Sequence, residues 1–557
     1  MSSNVQGTVG TEESKVPKQP GYRPLPPLPT VWQSLGRALV DQVRRDPSKV
    51  AMCDGTGASL TYMEVLLRAT VLGRHLARAV GDTPYVGVLL PPTVPSAVTN
   101  LALVLQGKIP VNLNYTCGVG MIDSSIRECG IRHVITSTRL LEKFQLKPEA
   151  KLLHLEDVRR QIGVVDKLTG AVLSRLVRAG LLDRLLPGLV NDDLDSIATV
   201  IFTSGSTGDP KGVILTHRNV LSNVWQIASH IHLVPDEVLL GILPFFHSFG
   251  YTITIWTALA LGKKVVYHFN PLDARTIGKL CEEHKVTLIA GTPSFARLYA
   301  RSCQASQFRT LTHLILGAEK LRPELYRQLA DCLNIEPMEG YGTTELSPVV
   351  SVNLPQEVVL RGGRKVHGNR PGTVGLPLPG TLLKTVEPET EADLPVGAEG
   401  VIAVKGPQVM VGYLNQPEAT AKVLKDGWYV TGDLGYVDQD GFLKITDRLS
   451  RFSKIAGEMV PHLGVESAIA ECAGIDEDQI AVTSVPDARH GERLCVLYTE
   501  IGISPNEIHK ALTASGIPRL WIPSVRDFIP VAELPITGTG KLDLRRLRDL
   551  ALRNPVT

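Results

Sequence analysis

An α/β body followed by a β-rich subdomain and a small α+β unit is what this sequence predicts, and three observations carry that reading. Short, nearly continuous apolar runs such as Tyr85 to Leu90 and Leu239 to Leu243 alternate with helical segments as far as roughly residue 345. Parallel strands covered on both faces by crossover helices read this way. Beyond Gly372 the texture becomes β-rich, with Gly400 to Lys405 as an example and turn signals at Pro379-Gly380, Asp426-Gly427 and Asp440-Gly441. From about Ser450 helical and strand segments form an independent unit of ordinary domain size. A chain of 557 residues is too long for one core, so division into domains is expected.

Taken in order, residues 1–30 carry six prolines from Pro17 to Pro29 among polar residues and are expected to be a disordered or extended tail. Ser34 to Arg45 has helical spacing at Leu35, Leu39, Val40 and Val43, and Ala58 to Tyr62 opens another helix. Ser96 to Leu105 is helical, while Val134 to Ser137 and Lys151 to Leu155 extend the series of buried strands. Residues 165–189 read as a helix with leucines on one side and Lys167, Arg175, Arg178 and Arg184 interspersed. A helix on the domain surface with solvated charges is the plain reading, and peripheral contact with a membrane surface or an acidic partner is the other. A further helix is expected from about His217, and the strands Lys264 to Tyr267, Leu288 to Ala290 and Leu314 to Leu316 continue the sheet.

The net charge of +2 gives no global reason to expect nucleic acid as a partner. Eight scattered cysteines, without a Cys-x-x-Cys pair, are expected to be reduced thiols. No apolar run reaches the ~18 residues of a transmembrane helix. The polar N-terminus does not look like a signal peptide, so a cytoplasmic location is expected, with membrane association open through residues 165–189.

The most concentrated chemistry lies in Ile201 to Gly212, an apolar strand running into Thr203, Ser204, Gly205, Ser206, Thr207, Gly208, Asp209, Pro210 and Lys211. Glycines let backbone N–H groups turn towards an anion, four hydroxyls add donors, and Lys211 adds a point charge. The spacing excludes a P-loop, because Lys211 is followed by Gly212 and Pro210 stands where that motif has its second glycine. No Gly-x-Ser-x-Gly occurs there, which excludes a nucleophile elbow.

Four more motifs follow the loop: Tyr341-Gly342-Thr343-Thr344-Glu345, Thr431-Gly432-Asp433, Asp447-Arg448 and Gly538-Thr539-Gly540-Lys541. With these, residues 32 to 550 resemble the adenylate-forming superfamily of acyl-CoA synthetases, adenylation domains and luciferases. After the disordered Pro-rich tail (1–30) read from composition, the resemblance implies an adenylation domain (31–448) and a mobile C-terminal domain carrying the catalytic lysine (449–557). The large domain would comprise two α/β subdomains and a β-barrel-like one. It also implies ATP as substrate and Mg²⁺ as cofactor. A carboxylate attacking the α-phosphate brings two anions together, and a lysine is a compact cation suited to neutralising them; the resemblance assigns that role to Lys541. Glu345 is then the metal-associated carboxylate and Thr344 a phosphate-reaching hydroxyl. Tyr341 offers adenine an aromatic face, with Gly340, Gly342 and Thr343 around it. Asp433 would accept from the ribose hydroxyls and Arg448 would support the same sugar. The loop from Thr203 would hold the departing pyrophosphate.

Leu243 to Gly250 resembles the aromatic motif at the acyl-pocket entrance, which places His247 beside the carboxylate; a structural histidine among aromatics is an equal reading. Gly317-Ala318-Glu319 resembles the form of the nucleotide and acyl-pocket motif in fatty-acid-activating members. With Phe249, Tyr251 and Trp256 it implies an apolar tunnel, where burial at ~0.8 kcal/mol per methylene favours long chains. Arg448 to His462 resembles the long-chain acyl-[acyl-carrier-protein] ligases, including the ligase part of bifunctional acylglycerophosphoethanolamine acyltransferases. A phosphopantetheine thiol, on acyl-carrier protein or CoA, is the implied acceptor, with Lys454 and Gly457 on the thiolation side. The hinge position, usually Asp or Lys, is Ser450. The rivals are a synthetase for another carboxylic acid, a phosphoryl-transfer enzyme, and a non-catalytic fatty-acid-binding or scaffold member of the fold.

Overall fold

The computed structural model describes residues 19–163, 166, 168, 172, 186–190, 193–203, 210–360, 363–455, 458–487, 489–536 and 542–553, save the side chains of Ser450, Lys454 and Met459. Two α/β sheets form the large domain. The smaller has four parallel strands, ordered Ile109–Asn112, Tyr85–Leu89, His133–Thr136 and Lys151–His154. The larger has nine strands; its parallel centre runs from Met338–Gly342 through His313–Leu316, Leu288–Gly291, Val238–Gly241 and Lys264–Tyr267 to Val50–Asp54. Antiparallel strands close both edges, Ser59–Thr61 at one and Val349–Val352 with Leu376–Pro377 at the other. Several of the helices that cover these sheets begin where the sequence supplies caps. Ser34 accepts from Arg37 N ahead of Leu35–Arg45, and Thr61 forms a capping box with Glu64 ahead of Tyr62–Val80.

The β-rich part is a five-stranded antiparallel sheet built on Trp428–Val437, with Gly400–Lys405 and Leu443–Arg448 on either side of it. Its turns use the expected glycines, and Gly380, Gly427 and Gly441 all have positive φ. The C-terminal domain has a three-stranded sheet whose alternate residues face two small cores. Val482 and Val496 pack with Val465, Ile469 and Ile508, whereas Ala481, Cys495 and Leu497 pack with Leu547 and Ala551. Ion pairs cross to the large domain: Arg322 lies 3.1 Å from both Glu477 and Asp478, and Arg297 also pairs with Asp478.

Of the two expectations for the tail, disordered or extended, the described part is the extended one, and it is docked. Residues 19–30 form an extended strap on the large domain. Proline fixes φ and removes donors but leaves carbonyls able to accept, and the body supplies the donors. Gly380 N donates to Arg23 O (2.7 Å) and the Trp225 indole to Pro26 O (3.1 Å). The Arg23 guanidinium donates to Pro377 O (2.8 Å) and to His230 Nδ1 (2.5 Å). His230 in turn bonds Val352 O through Nε2, and burial followed by the Arg23 charge pushes it down to about 3, so it stays neutral. Residues 1–18 lie outside the described residues, as does most of the basic stretch 165–189. Among the described residues no helix is long and apolar enough to cross a membrane.

Candidate functional site

A cleft of about 130 Å³ opens at the carboxyl ends of the parallel strands, where open α/β sheets form ligand crevices. Leu243 and His247 follow the strand Val238–Gly241, Thr292 follows Leu288–Gly291, Gly317 and Ala318 follow His313–Leu316, and Tyr341 ends Met338–Gly342. Ser248, Phe249, Thr343, Thr344, Val349 and Val352 complete the wall. Two close approaches shape it. A Cβ on Gly250 would stand 2.2 Å from Pro244 O, so only glycine lets the π-helix Gly250–Thr257 start against the His247 turn. A Cβ on Gly342 would stand 2.0 Å from Pro348 O. Ala318 has φ 72°, a strained conformation for a non-glycine residue, at the point where its loop lines the cleft.

At one end, Asp433 and Arg448 are opposite one another on paired antiparallel strands. Arg448 Nε lies 2.8 Å from Asp433 Oδ1, and the Tyr341 hydroxyl donates to Oδ2 at 2.5 Å. Asp433 is 6% exposed, so this charge is held almost out of water. Burial, then the Asp433 carboxylate, raise the Tyr341 phenol, while Asp433 raises the Arg448 guanidinium further. A carboxylate has about four lone pairs, so two remain for a diol.

Thr343 and Thr344 line the cleft, and Glu345 follows them in the chain. Glu345 is buried and its Oε1 accepts from the Tyr413 hydroxyl at 2.9 Å. Ser248 Oγ lies 3.4 Å from Thr344 Oγ1, and among the described residues the Thr343 hydroxyl is buried without a hydrogen-bond partner. Thr203 and Lys211 are cross-strand neighbours at the end of a hairpin formed by Ile197–Thr203 and Lys211–Thr216. The glycine-rich loop therefore joins two antiparallel strands, and the helix His217–His230 follows the second. Ser204, Gly205, Ser206, Thr207 and Gly208 lie outside the described residues, as do Lys541 and Gly457. Of Ser450 and Lys454 only the backbone is described.

His247 lines the cleft with its ring 4.8 Å from that of Phe246. Glu319 accepts from Ser294 N (3.2 Å) and Oγ (2.6 Å), which anchors the loop after Gly317. Tyr251 and Trp256 are buried in the π-helix behind the cleft, and Phe249 reaches its wall.

Three residues enter the site that no motif marks. Tyr413 joins Glu345 to Lys211, whose ammonium stands 4.9 Å from the Tyr413 ring centroid. Glu339 accepts from Leu321 N at 3.1 Å beneath the 317–322 loop, and burial pushes its carboxyl up to about 7. Ser294 is the third. Each acts through a partner distant in sequence, 68 residues in the case of Tyr413 and Glu345, so no local pattern signals it.

With this geometry in place, residues 39–414 match the AMP-binding enzyme family. The chain belongs to that family. This AMP-binding enzyme is 30% identical over 561 residues to a long-chain-fatty-acid–CoA ligase of Bacillus subtilis, covering 95% of this chain and 96% of the relative. It is 30% identical over 521 residues to a feruloyl-CoA synthase of Amycolatopsis sp, covering 92% and 97%. The ATP-bound MatB of Rhodopseudomonas palustris shares the fold, with a TM-score of 0.75 at 24% identity over 93% of this chain and 98% of that one. The superfamily resemblance of the motifs and the family match agree.

Magnesium takes oxygen ligands and retains several waters, so one protein carboxylate beside a nucleotide suffices to hold it. The donor set of this AMP-binding enzyme fits: Glu345 supplies a carboxylate, with the Thr344 and Thr343 hydroxyls adjacent in the chain.

Proposed function

We propose that this AMP-binding enzyme is an ATP-dependent acid–thiol ligase for medium- or long-chain fatty acids. In the first half-reaction a carboxylate oxygen attacks the α-phosphorus of ATP, the bond to the β-phosphate oxygen breaks, and pyrophosphate leaves. In the second, a phosphopantetheine thiolate attacks the acyl carbon, and the C–O bond to AMP breaks. Carrier protein is the favoured bearer of that thiol, from the resemblance of residues 448–462. CoA is the second reading, favoured by the names of the relatives.

The observation that carries the proposal is one cleft with two chemically distinct ends. Asp433, with Arg448 and Tyr341, makes a rigid acceptor for a ribose diol. The wall from Leu243 to Phe249 sets Leu243, Pro244 and Phe249 beside His247 and Ser248, and its apolar side chains suit a hydrocarbon chain. Thr344 and Lys211 would receive the phosphate oxygens, and Glu345 is the residue that would hold Mg²⁺, which neutralises phosphate charge when bound. His247, which lines the cleft, is assigned to the incoming carboxylate. Lys541 is assigned the bridging of carboxylate and α-phosphate, with rotation about Ser450 withdrawing it so that the Gly457 region meets the thiol.

Lys541→Ala tests the assignment. Pyrophosphate exchange should fall roughly 10²-fold or more, while thioester formation from preformed acyl-adenylate should persist. Unchanged exchange, or release of orthophosphate in place of pyrophosphate, would overturn the mechanism. Side-by-side thioester assays with carrier protein and CoA decide the acceptor.

A further inference from the structure

Tyr413 lies outside every motif discussed above, yet it touches two residues of opposite charge. It belongs to the two-residue strand Gly412–Tyr413, which pairs antiparallel with Lys211–Thr216, so Tyr413 faces Val213 two residues beyond Lys211. The strand is pinned at both sides. Tyr413 N donates to Thr420 Oγ1 (2.9 Å) and Leu414 N donates to Gly212 O (2.7 Å). The Glu345 backbone is tied to the same segment, because Met410 N donates to Glu345 O at 2.8 Å.

The side chain completes the connection with its two different surfaces. Its hydroxyl donates to Glu345 Oε1 at 2.9 Å, and its ring face receives the Lys211 ammonium, 4.9 Å from the centroid. Tyr413 and Glu345 are 7% and 8% exposed, so neither contact is a solvent-averaged one. A lysine and a glutamate this close to a common partner would ordinarily pair with each other and cancel. Here each meets a different surface of one phenol, the carboxylate its hydroxyl and the ammonium its ring face.

We propose that Tyr413 is a positioning residue that locks the Lys211 ammonium and the Glu345 carboxylate into one unit, setting their spacing for the metal-bound triphosphate of the nucleotide. This rests on the reading that Lys211 and Glu345 face the phosphates and their metal. The two surfaces of the side chain can be removed separately. Tyr413→Phe keeps the ring and deletes the hydroxyl, while Tyr413→Leu deletes both contacts.

The test is calorimetric binding of ATP, with Mg²⁺ and in EDTA, to the full chain and its variants, with melting in the absence of nucleotide as a check on folding. Tyr413→Phe should raise the Mg²⁺ concentration for half-maximal nucleotide binding about tenfold, since a hydrogen bond to a charged group is lost, and leave ATP binding in EDTA unchanged. Tyr413→Leu should also weaken binding in EDTA, and should add little to Lys211→Ala, because the lysine is then already absent. An equal loss with and without metal in Tyr413→Phe, or additive effects on binding in EDTA in the Tyr413→Leu/Lys211→Ala double variant, would overturn the proposal. Glu345→Gln separates the two levels. If it leaves the Mg²⁺ dependence intact, the reading of Glu345 fails; if it destroys that dependence while Tyr413→Phe does not, the tie alone fails.

Discussion

Asp433 and Asp478 both meet arginines, and they do so in opposite settings. Asp433 lies deep in the large domain, 6% exposed, with the Tyr341 hydroxyl on one oxygen and Arg448 on the other, and its strand partner fixes its position. Asp478 sits on a short turn of the C-terminal domain with half of its side chain in solvent, and reaches Arg297 and Arg322 across the joint between domains. A buried charge network is costly to desolvate, but once built it holds geometry without reorganising, and removing one partner strands the others. Exposed pairs contribute little each and are screened by salt. The ligand end of this molecule is therefore preorganised, while the joint is held by contacts that can be released singly.

The largest expected effect comes from breaking the buried side. Asp433→Ala leaves the Arg448 guanidinium and the Tyr341 hydroxyl without their shared acceptor. Nucleotide affinity should fall roughly 10²-fold, with about 2 kcal/mol lost from stability, a figure reduced for the partial exposure of Arg448. Calorimetry and urea unfolding measure the two. Normal nucleotide affinity in that variant would remove Asp433 from the ribose role and dissolve the contrast with Asp478.

A smaller effect belongs to Glu339, which lies between the two settings. Its carboxyl is buried beneath the loop that runs from the cleft at Ala318 to the interdomain arginine Arg322, and burial pushes it up to about 7. Between the ordinary carboxylate value and about 7, the folded chain keeps a proton that the unfolded chain releases. Stability therefore declines as pH rises through that window and is level above it. The decline amounts to up to about 3 kcal/mol by the linkage relation. Glu339→Gln should abolish it, so the variant gains on the parent between pH 5 and pH 8 in thermal unfolding. Parallel pH profiles for the two proteins would show that Glu339 is not protonated in the fold.

The sequence made much of the fold legible where the cause was local. Lys264–Tyr267 and Gly400–Lys405 appear as strands over the same residues that their apolar, β-branched runs predict, and the helix after Ser34 begins at its cap. Asp433 and Arg448 could be singled out because each sits in a recognisable motif, although their being opposite each other depends on strand register. What escaped depends on distant partners. The strap at residues 19–30 has too few apolar groups to predict its packing, and is held by donors at Trp225, Gly380 and Leu383. The π-helix at Gly250–Thr257 is buried along its whole length, so no periodicity marks it. Tyr413 gains meaning only when the sheet brings Lys211 and Glu345 to its two sides.

The smallest effect on stability, and the sharpest test of the contrast, lies at the joint itself. Arg322 reaches Glu477 and Asp478 at 3.1 Å each, from the loop whose other end lines the cleft. Its side chain is 28% exposed and Asp478 is half exposed, so each contact contributes about 0.5 kcal/mol, and the three with Arg297 included about 1.5 kcal/mol. Charge reversal in Arg322→Glu should leave the melting of the large domain unchanged while shifting the joint several-fold towards release. Faster proteolytic cleavage near residues 449–457 at low salt would report that shift, and added salt should bring the parent towards the variant. Restoring attraction with Glu477→Lys and Asp478→Lys in the Arg322→Glu background should slow cleavage again. If cleavage is equally slow in all of these proteins at every salt concentration, the joint is not held by these charges, and the C-terminal domain is as firmly fixed as the site around Asp433.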